Sequence, residues 1–221
     1  MLIVVFVGVL VEAVIASSGL DLWNAAKEGN LTYVDDALRT GISPNWVNQD
    51  DYGYGETALH VSSKFNHPTV ISALLEAGAE KDQRDDRGET PIFWASMHGS
   101  LDAITRLIES GADLDIPDNW GVTPLMTASY RGHLSSVEAM IDAHANVTLS
   151  DNDGYTALHY AAGHNRLSIA QLLLSEGADI RKQDNTGRTP GHLAKDEGYI
   201  QLQEIIDGIT GATSRKVVYG I

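Results

Sequence analysis

The sequence predicts an all-α solenoid of stacked helix-turn-helix units joined by β-turn or hairpin fingers. Three observations predict it. The tetrapeptide Gly-x-Thr-(Pro/Ala) starts at Gly55, Gly88, Gly121, Gly154 and Gly187, each 33 residues after the last. Eleven residues past each of these glycines stands Asn66, Gly99, Gly132, Asn165 or Gly198, residue types that tolerate the left-handed backbone needed to reverse one helix into the next. Apolar residues then recur at helical spacing, as in Leu101, Ile104, Leu107 and Ile108, or Leu167, Ala170, Leu173 and Leu174. A fixed period of this length marks repeated supersecondary units, none of which can bury its apolar face alone.

Taken in order, the chain opens on an apolar run, Leu2 to Val11, followed by Glu12 and the small-residue stretch Ala13 to Ser18. The run is too short for a membrane span, which needs ~20 apolar residues. Residues 1–18 read as a secretory signal peptide, with cleavage favoured after Ala16 or Ser18, although no Lys or Arg precedes the apolar core. The alternatives are an apolar segment packing on the first repeat and a misassigned start codon. Residues 19–51 read as an N-terminal capping helix pair, because Leu22 to Gly41 lacks the Gly-x-Thr opening.

Four full units follow at 52–84, 85–117, 118–150 and 151–183. Each first helix is expected to start near Thr57, Thr90, Thr123 or Thr156, with Thr189 starting the last, because Thr is a capping residue and Pro91, Pro124 and Pro190 arrive with helical φ. Gly78, Gly111, His144 and Gly177 are expected to close the second helices. The first finger is longer than the others: 14 residues separate Gly41 from Gly55, against 10 between Gly78 and Gly88. That loop carries Trp46, Tyr52 and Tyr54, and a longer loop is a reasonable place for function. Residues 184–208 read as a closing cap, with Gly191 in place of an apolar residue and a second helix running into Gly208. Residues 209–221 read as a flexible tail, or else a short linear motif or pairing strand.

The runs GETALHVSS, GETPIFWAS, GVTPLMTAS, GYTALHYAA and GRTPGHLAK, with the Gly-Ala-(Glu/Asp) closures at Gly78, Gly111 and Gly177, resemble the ankyrin repeat. The resemblance covers roughly Leu20 to Asp207 and implies an ankyrin-repeat solenoid that recognises proteins through a concave groove. It also implies that His60, His159 and His192, all in the Thr-x-x-His slot, brace neighbouring turns rather than bind metal. Of the remaining histidines, His133 follows the inter-helix glycine, and His67, His98, His144 and His164 have no second ligand at metal spacing.

Composition narrows the function. Thirty acidic against fifteen basic residues give a net charge of −15, which disfavours nucleic acid and anionic membrane and favours a basic or neutral protein partner. The absence of cysteine excludes disulfides, thiolate metal sites and Cys nucleophiles but leaves the compartment open. No dinucleotide, P-loop, Ser-nucleophile or zinc-protease signature is present. The acids Asp50-Asp51, Asp85-Asp86 and Asp151 to Asp153 are expected in exposed fingers, too solvated for acid–base work. The sequons at Asn30 and Asn146 suit either glycosylation or turn chemistry, the latter favoured by their places in the repeat.

What remains is a recognition surface. The groove positions read as Tyr52, Tyr54, Glu56, Lys64, Phe65, Arg84, Arg87, Glu89, Met97, His98, Trp120, Val122, Tyr130, Arg131, Asp153, Tyr155 and His164. From these the protein-binding candidates are Tyr54, Phe65, Arg87, Met97, Trp120, Tyr130, Arg131 and Tyr155, because aromatics, Met and Arg dominate interface energetics. The expectation is a monomeric, non-catalytic protein-binding module without cofactor or metal; the alternative is a secreted or periplasmic effector or inhibitor on the same scaffold.

Overall fold

The computed structural model describes residues 18–49 and 54–211, with side chains as far as Gly208. Twelve helices form six antiparallel pairs among these residues: α1 (Gly19–Glu28) with α2 (Leu31–Arg39), α3 (Ala58–Lys64) with α4 (Pro68–Glu76), α5 (Pro91–His98) with α6 (Leu101–Glu109), α7 (Pro124–Arg131) with α8 (Leu134–Asp142), α9 (Ala157–Gly163) with α10 (Leu167–Ser175), and α11 (Pro190–Asp196) with α12 (Ile200–Gly211). The β structure of the described residues is two isolated bridges, Val47 with Thr57 and Ser150 with Thr156. None of their helices is long and apolar enough to cross a membrane.

The capping chemistry sets the helix starts. Thr57, Thr90, Thr123, Thr156 and Thr189 all sit in extended backbone at the N-cap, and the last four accept the N–H three residues on. Ser18 and Asp21 form a reciprocal capping box on α1. Asn30 caps α2 through the Tyr33 N–H at 3.3 Å, and Asn146 Oδ1 accepts from the Thr148 N–H and hydroxyl.

The units stack because first helices pack on first helices and second on second. Leu59, Ile92, Leu125 and Leu158 line one layer of the core; Ile71, Leu74, Ile104, Leu107, Met140 and Leu173 line the other. Leu101 is exposed and Leu167 only half-buried, contrary to the simple helical stripe. Both open their helices while the chain is still leaving the turn, so the buried stripe begins two residues later at Ala103 and Ile169.

Polar bonds repeat with the same period. The His60 Nδ1 accepts the Thr57 N–H at 3.1 Å, and its Nε2 bonds the Glu89 carbonyl of the next finger, also at 3.1 Å. His159 bridges Thr156 to the Arg188 carbonyl in the same way, and His192 bonds Thr189. Burial holds His60 down at about 4, so it stays a neutral brace. At the inter-helix turns, His67, Ser100, His133 and Arg166 reach back to the carbonyls of Lys27, Lys64, Met97 and Tyr130. This is why three turns demand glycine twice over: Gly29, Gly99 and Gly132 have φ of 73°, 69° and 86°, and a Cβ there would meet the His67 ring, the His133 ring or the Arg166 guanidinium below 3.0 Å. Asn66 fits with φ 59° because its neighbour is the small Ser100, and its amide bonds Asp102 and the Ala103 N–H.

Two expectations need amendment. Trp46 in the long finger lies half-buried against the Gly19 backbone, where a Cβ would meet the indole, so it serves packing. The closing helix α12 continues past Gly208 to Gly211, since glycine weakens a helix by only ~1 kcal/mol against Ala and does not by itself stop it. Tyr52, the leader 1–17 and the tail 212–221 lie outside the described residues.

Candidate protein-binding groove

A backbone ladder positions the finger tips. The N–H groups of Asp86, Asn119, Asn152 and Asn185 donate to the carbonyls of Tyr54, Arg87, Trp120 and Asp153 at 2.8–3.0 Å, so the residue before each marker glycine stands in one row across the stack. The Asn119, Asn152 and Asn185 side chains add a second ladder to the carbonyls of Asp86, Asn119 and Asn152. In that row the Arg87 guanidinium lies 3.7 Å from the Tyr54 ring centroid, and Trp120 is 58 % exposed although its backbone is held at both ends.

The C-terminal ends of the first helices form the opposite row. Phe65 is exposed and stacks on His67, while Lys64 Nζ sits 5.4 Å from Phe65 and 5.1 Å from Trp94. Tyr130 is exposed, meets His164 edge-on at 4.3 Å and Tyr160 at 6.0 Å, and has the Arg131 guanidinium 5.4 Å from its ring. Met97 is half-buried and packs against the core, so this candidate is a wall of the groove more than a free contact.

Tyr155 is also half-buried. Its hydroxyl accepts from Arg188 Nη2, its ring leans on His159 and Tyr160, and Arg188 in turn is paired with Asp184 at 3.0 Å. With Met97 a wall of the groove, the other seven candidates divide by their contacts, and Trp120 stands on the finger row between them. Toward the N-terminus Arg87 pairs with Tyr54 on the finger row, and Phe65 groups with Lys64 and Trp94 on the helix-end row. Tyr130, Arg131 and Tyr155 belong to a C-terminal group completed by Tyr160, His164 and Arg188. Tyr155, Tyr160, His164, Arg188 and Tyr199 line a cleft of about 340 Å³ between α9 and α11, with Asp196 and Glu197 beside it. Trp94, Tyr160 and Arg188 were missing from the candidates, although the 33-residue register could have found them: Trp94 and Tyr160 occupy one slot, Tyr155 and Arg188 another.

Of the finger acids expected to be solvated, Asp86 and Asp153 are exposed, but Asp85 is buried and Asp151 half-buried, and Asp50 and Asp51 lie outside the described residues; the equivalent Asp118 and Asp184 are buried too. Each buried or half-buried one folds its own turn: the Asp85 Oδ1 accepts the N–H groups of Arg87 and Glu89, and Asp118, Asp151 and Asp184 repeat the pattern. Glu56 and Glu89 are buried as well: the Glu56 Oε2 accepts the Tyr54 N–H of its own finger, and Glu89 lies in the field of both Asp85 and Asp118. Burial, with Asp85 alongside, pushes the Glu89 carboxyl up to about 7, while Arg87 partly opposes the shift. Among the described residues no group of three or more His, Asp or Glu is placed to hold a metal ion.

With this geometry in view, comparison with known proteins identifies the family. The family model for ankyrin repeats matches three times, at residues 22–118, 107–184 and 125–207. The chain belongs to the ankyrin-repeat family. It is 34% identical over 73 residues to an ankyrin repeat-containing protein of Schizosaccharomyces pombe, a match covering 33% of each chain. It is 35% identical over 71 residues to ankyrin repeat domain-containing protein 40 of Homo sapiens, covering 32% of this chain and 18% of that protein. A 40-residue segment is 50% identical to neurogenic locus notch homolog protein 4 of Homo sapiens, covering 18% and 2%. The chain spans a third or less of the length of these relatives. Ankyrin repeats are generally protein–protein interaction modules, and the family is typically non-catalytic.

Proposed function

We propose that this chain is a non-catalytic recognition module that binds a protein partner through the face formed by its finger tips and first-helix ends. One observation carries the reading: Tyr54, Phe65, Trp120 and Tyr130 are large apolar side chains left exposed on this face, at positions the helix stack does not use. Rigid aromatics of this kind supply apolar contact at low entropic cost. The net charge of −15 favours a basic or neutral partner. Export of the module is supported by the apolar run at Leu2 to Val11, and the mass of the mature N-terminus tests it.

The test of the groove is a matched pair of measurements on Trp120→Ala once a partner has been captured and purified. Affinity is expected to fall by ~2 kcal/mol, about 30-fold, while unfolding free energy moves by less than ~1 kcal/mol. Unchanged affinity with lost stability would reassign Trp120 to packing and remove the reading's central anchor.

A further inference from the structure

Four fingers carry an aspartate three residues before the marker glycine, and all four use Oδ1 identically. They differ at Oδ2. The Asp85 Oδ2 accepts the Trp94 indole N–H at 3.1 Å, the Asp151 Oδ2 accepts the Tyr160 hydroxyl at 2.6 Å, and the Asp184 Oδ2 accepts Arg188 Nε at 3.0 Å. The Asp118 Oδ1 is filled by the Trp120 and Val122 N–H groups at 2.8 Å, but its Oδ2 receives no hydrogen bond among the described residues. The register gives the cause. Nine residues on from Asp85 stands Trp94 and nine on from Asp151 stands Tyr160, whereas nine on from Asp118 stands Thr127, whose side chain ends at Cγ2 and Oγ1 and falls short of the reach of an aromatic ring.

Asp118 as a whole is only 7 % exposed, yet the fully buried side-chain polar atom left without a partner among the described residues is Trp23 Nε1, so the unfilled Asp118 oxygen keeps a small surface from which a donor can reach it. Burial raises its carboxyl above the ordinary range, with Asp151 adding to the shift, and Glu89 in turn feels Asp118. The cation that opposes this, Arg84, already donates to the carbonyls of Gly88 and Pro117 and to Asn119 Oδ1. Along the base of the groove, Thr127 follows an indole at Trp94 and precedes a phenol at Tyr160, so the row steps down at this point.

We propose that Asp118 is the anchor for a cationic side chain, Arg or Lys, of the protein partner, entering over Thr127 between Trp94 and Tyr160. Its charged N–H group donates to the Asp118 Oδ2, a charge-assisted bond stronger than a neutral one, and lies in the field of Glu89. The proposal rests on the groove reading above and names the chemistry the partner brings to its centre.

The test needs no partner. Amide NMR spectra are recorded while ethylguanidinium chloride, or the isosteric neutral ethylurea, is added at low millimolar concentration and constant ionic strength. The Trp120 and Val122 amide signals, both bonded to Asp118, are expected to shift saturably with ethylguanidinium and not with ethylurea. Asp118→Asn keeps the Oδ1 acceptor for both amides, so the turn persists, and the saturable shift should vanish. Thr127→Tyr should supply the missing donor as Tyr160 does for Asp151, raising the melting temperature and abolishing the shift. An equal response in Asp118→Asn, or no response in the wild type, overturns the assignment. Either result leaves the groove reading to the Trp120→Ala measurement, so the two can fail separately.

Discussion

Glu89→Gln should change the pH dependence of stability in a direction opposite to that of an ordinary ion-paired acid. Glu89 is 5 % exposed, and burial beside Asp85 moves its carboxyl from 4.5 to about 7. A raised folded-state value means that the folded protein holds the proton more tightly than the unfolded chain. The stabilising contribution is therefore complete below pH 4.5 and is lost as pH rises toward 7. The interval of 2.5 units corresponds to about 3 kcal/mol at 1.36 kcal/mol per unit.

The wild-type profile alone conceals this. His60 is held down at about 4 against 6.5, so it favours folding increasingly from pH 4 to 6.5 and offsets much of the Glu89 loss. The difference between wild type and Glu89→Gln cancels His60 and isolates the carboxyl. Urea unfolding of both proteins at pH 5 and pH 8 should show the variant gaining about 2.5 kcal/mol relative to wild type across that interval, because part of the full shift is already lost by pH 5, and most of the gain comes before pH 7. A difference that stays within ~0.5 kcal/mol at both pH values would refute the claim that Glu89 is a buried acid carrying a cost at neutral pH.

Three further outcomes test other levels of the structure. Leu107→Ala, at a fully buried site between stacked second helices, should cost ~2–5 kcal/mol in chemical denaturation. Gly132→Ala should destabilise by more than Gly78→Ala in the same melt: both have left-handed φ, costing roughly 1–2 kcal/mol, but only at Gly132 does the new Cβ meet the Arg166 guanidinium. A chain beginning at Gly19 should be ~1 kcal/mol less stable than one beginning at Ser17, because it lacks the Ser18 cap of α1; equal midpoints would show that the cap contributes nothing.

Much of the fold was legible because its determinants are local and repeated. Threonine before a small residue or proline, a left-handed residue eleven positions past the glycine, and apolar residues at helical spacing each act within a few residues of themselves. Thr90 caps α5 and Asn165 turns with φ 54° for reasons contained in their own unit. The groove was less legible. Trp120 and Tyr130 emerged as exposed, but Met97 and Tyr155 did not stand free, since a side chain's exposure at a variable position depends on what occupies the same position 33 residues away. Tyr155 is held because its counterpart in the next unit is Arg188.

The sequence by itself determined the period, the helix starts and the turns, because capping, φ preference and amphipathic spacing are properties of short segments and recur with every unit. Only the stack decided which acids are buried and which of their oxygens are filled. Asp85, Asp118, Asp151 and Asp184 share one local turn motif. Their second oxygens are satisfied or left open according to whether an indole, a phenol, a guanidinium or a threonine faces them, and folding must bring that side chain into place before the carboxylate loses its water.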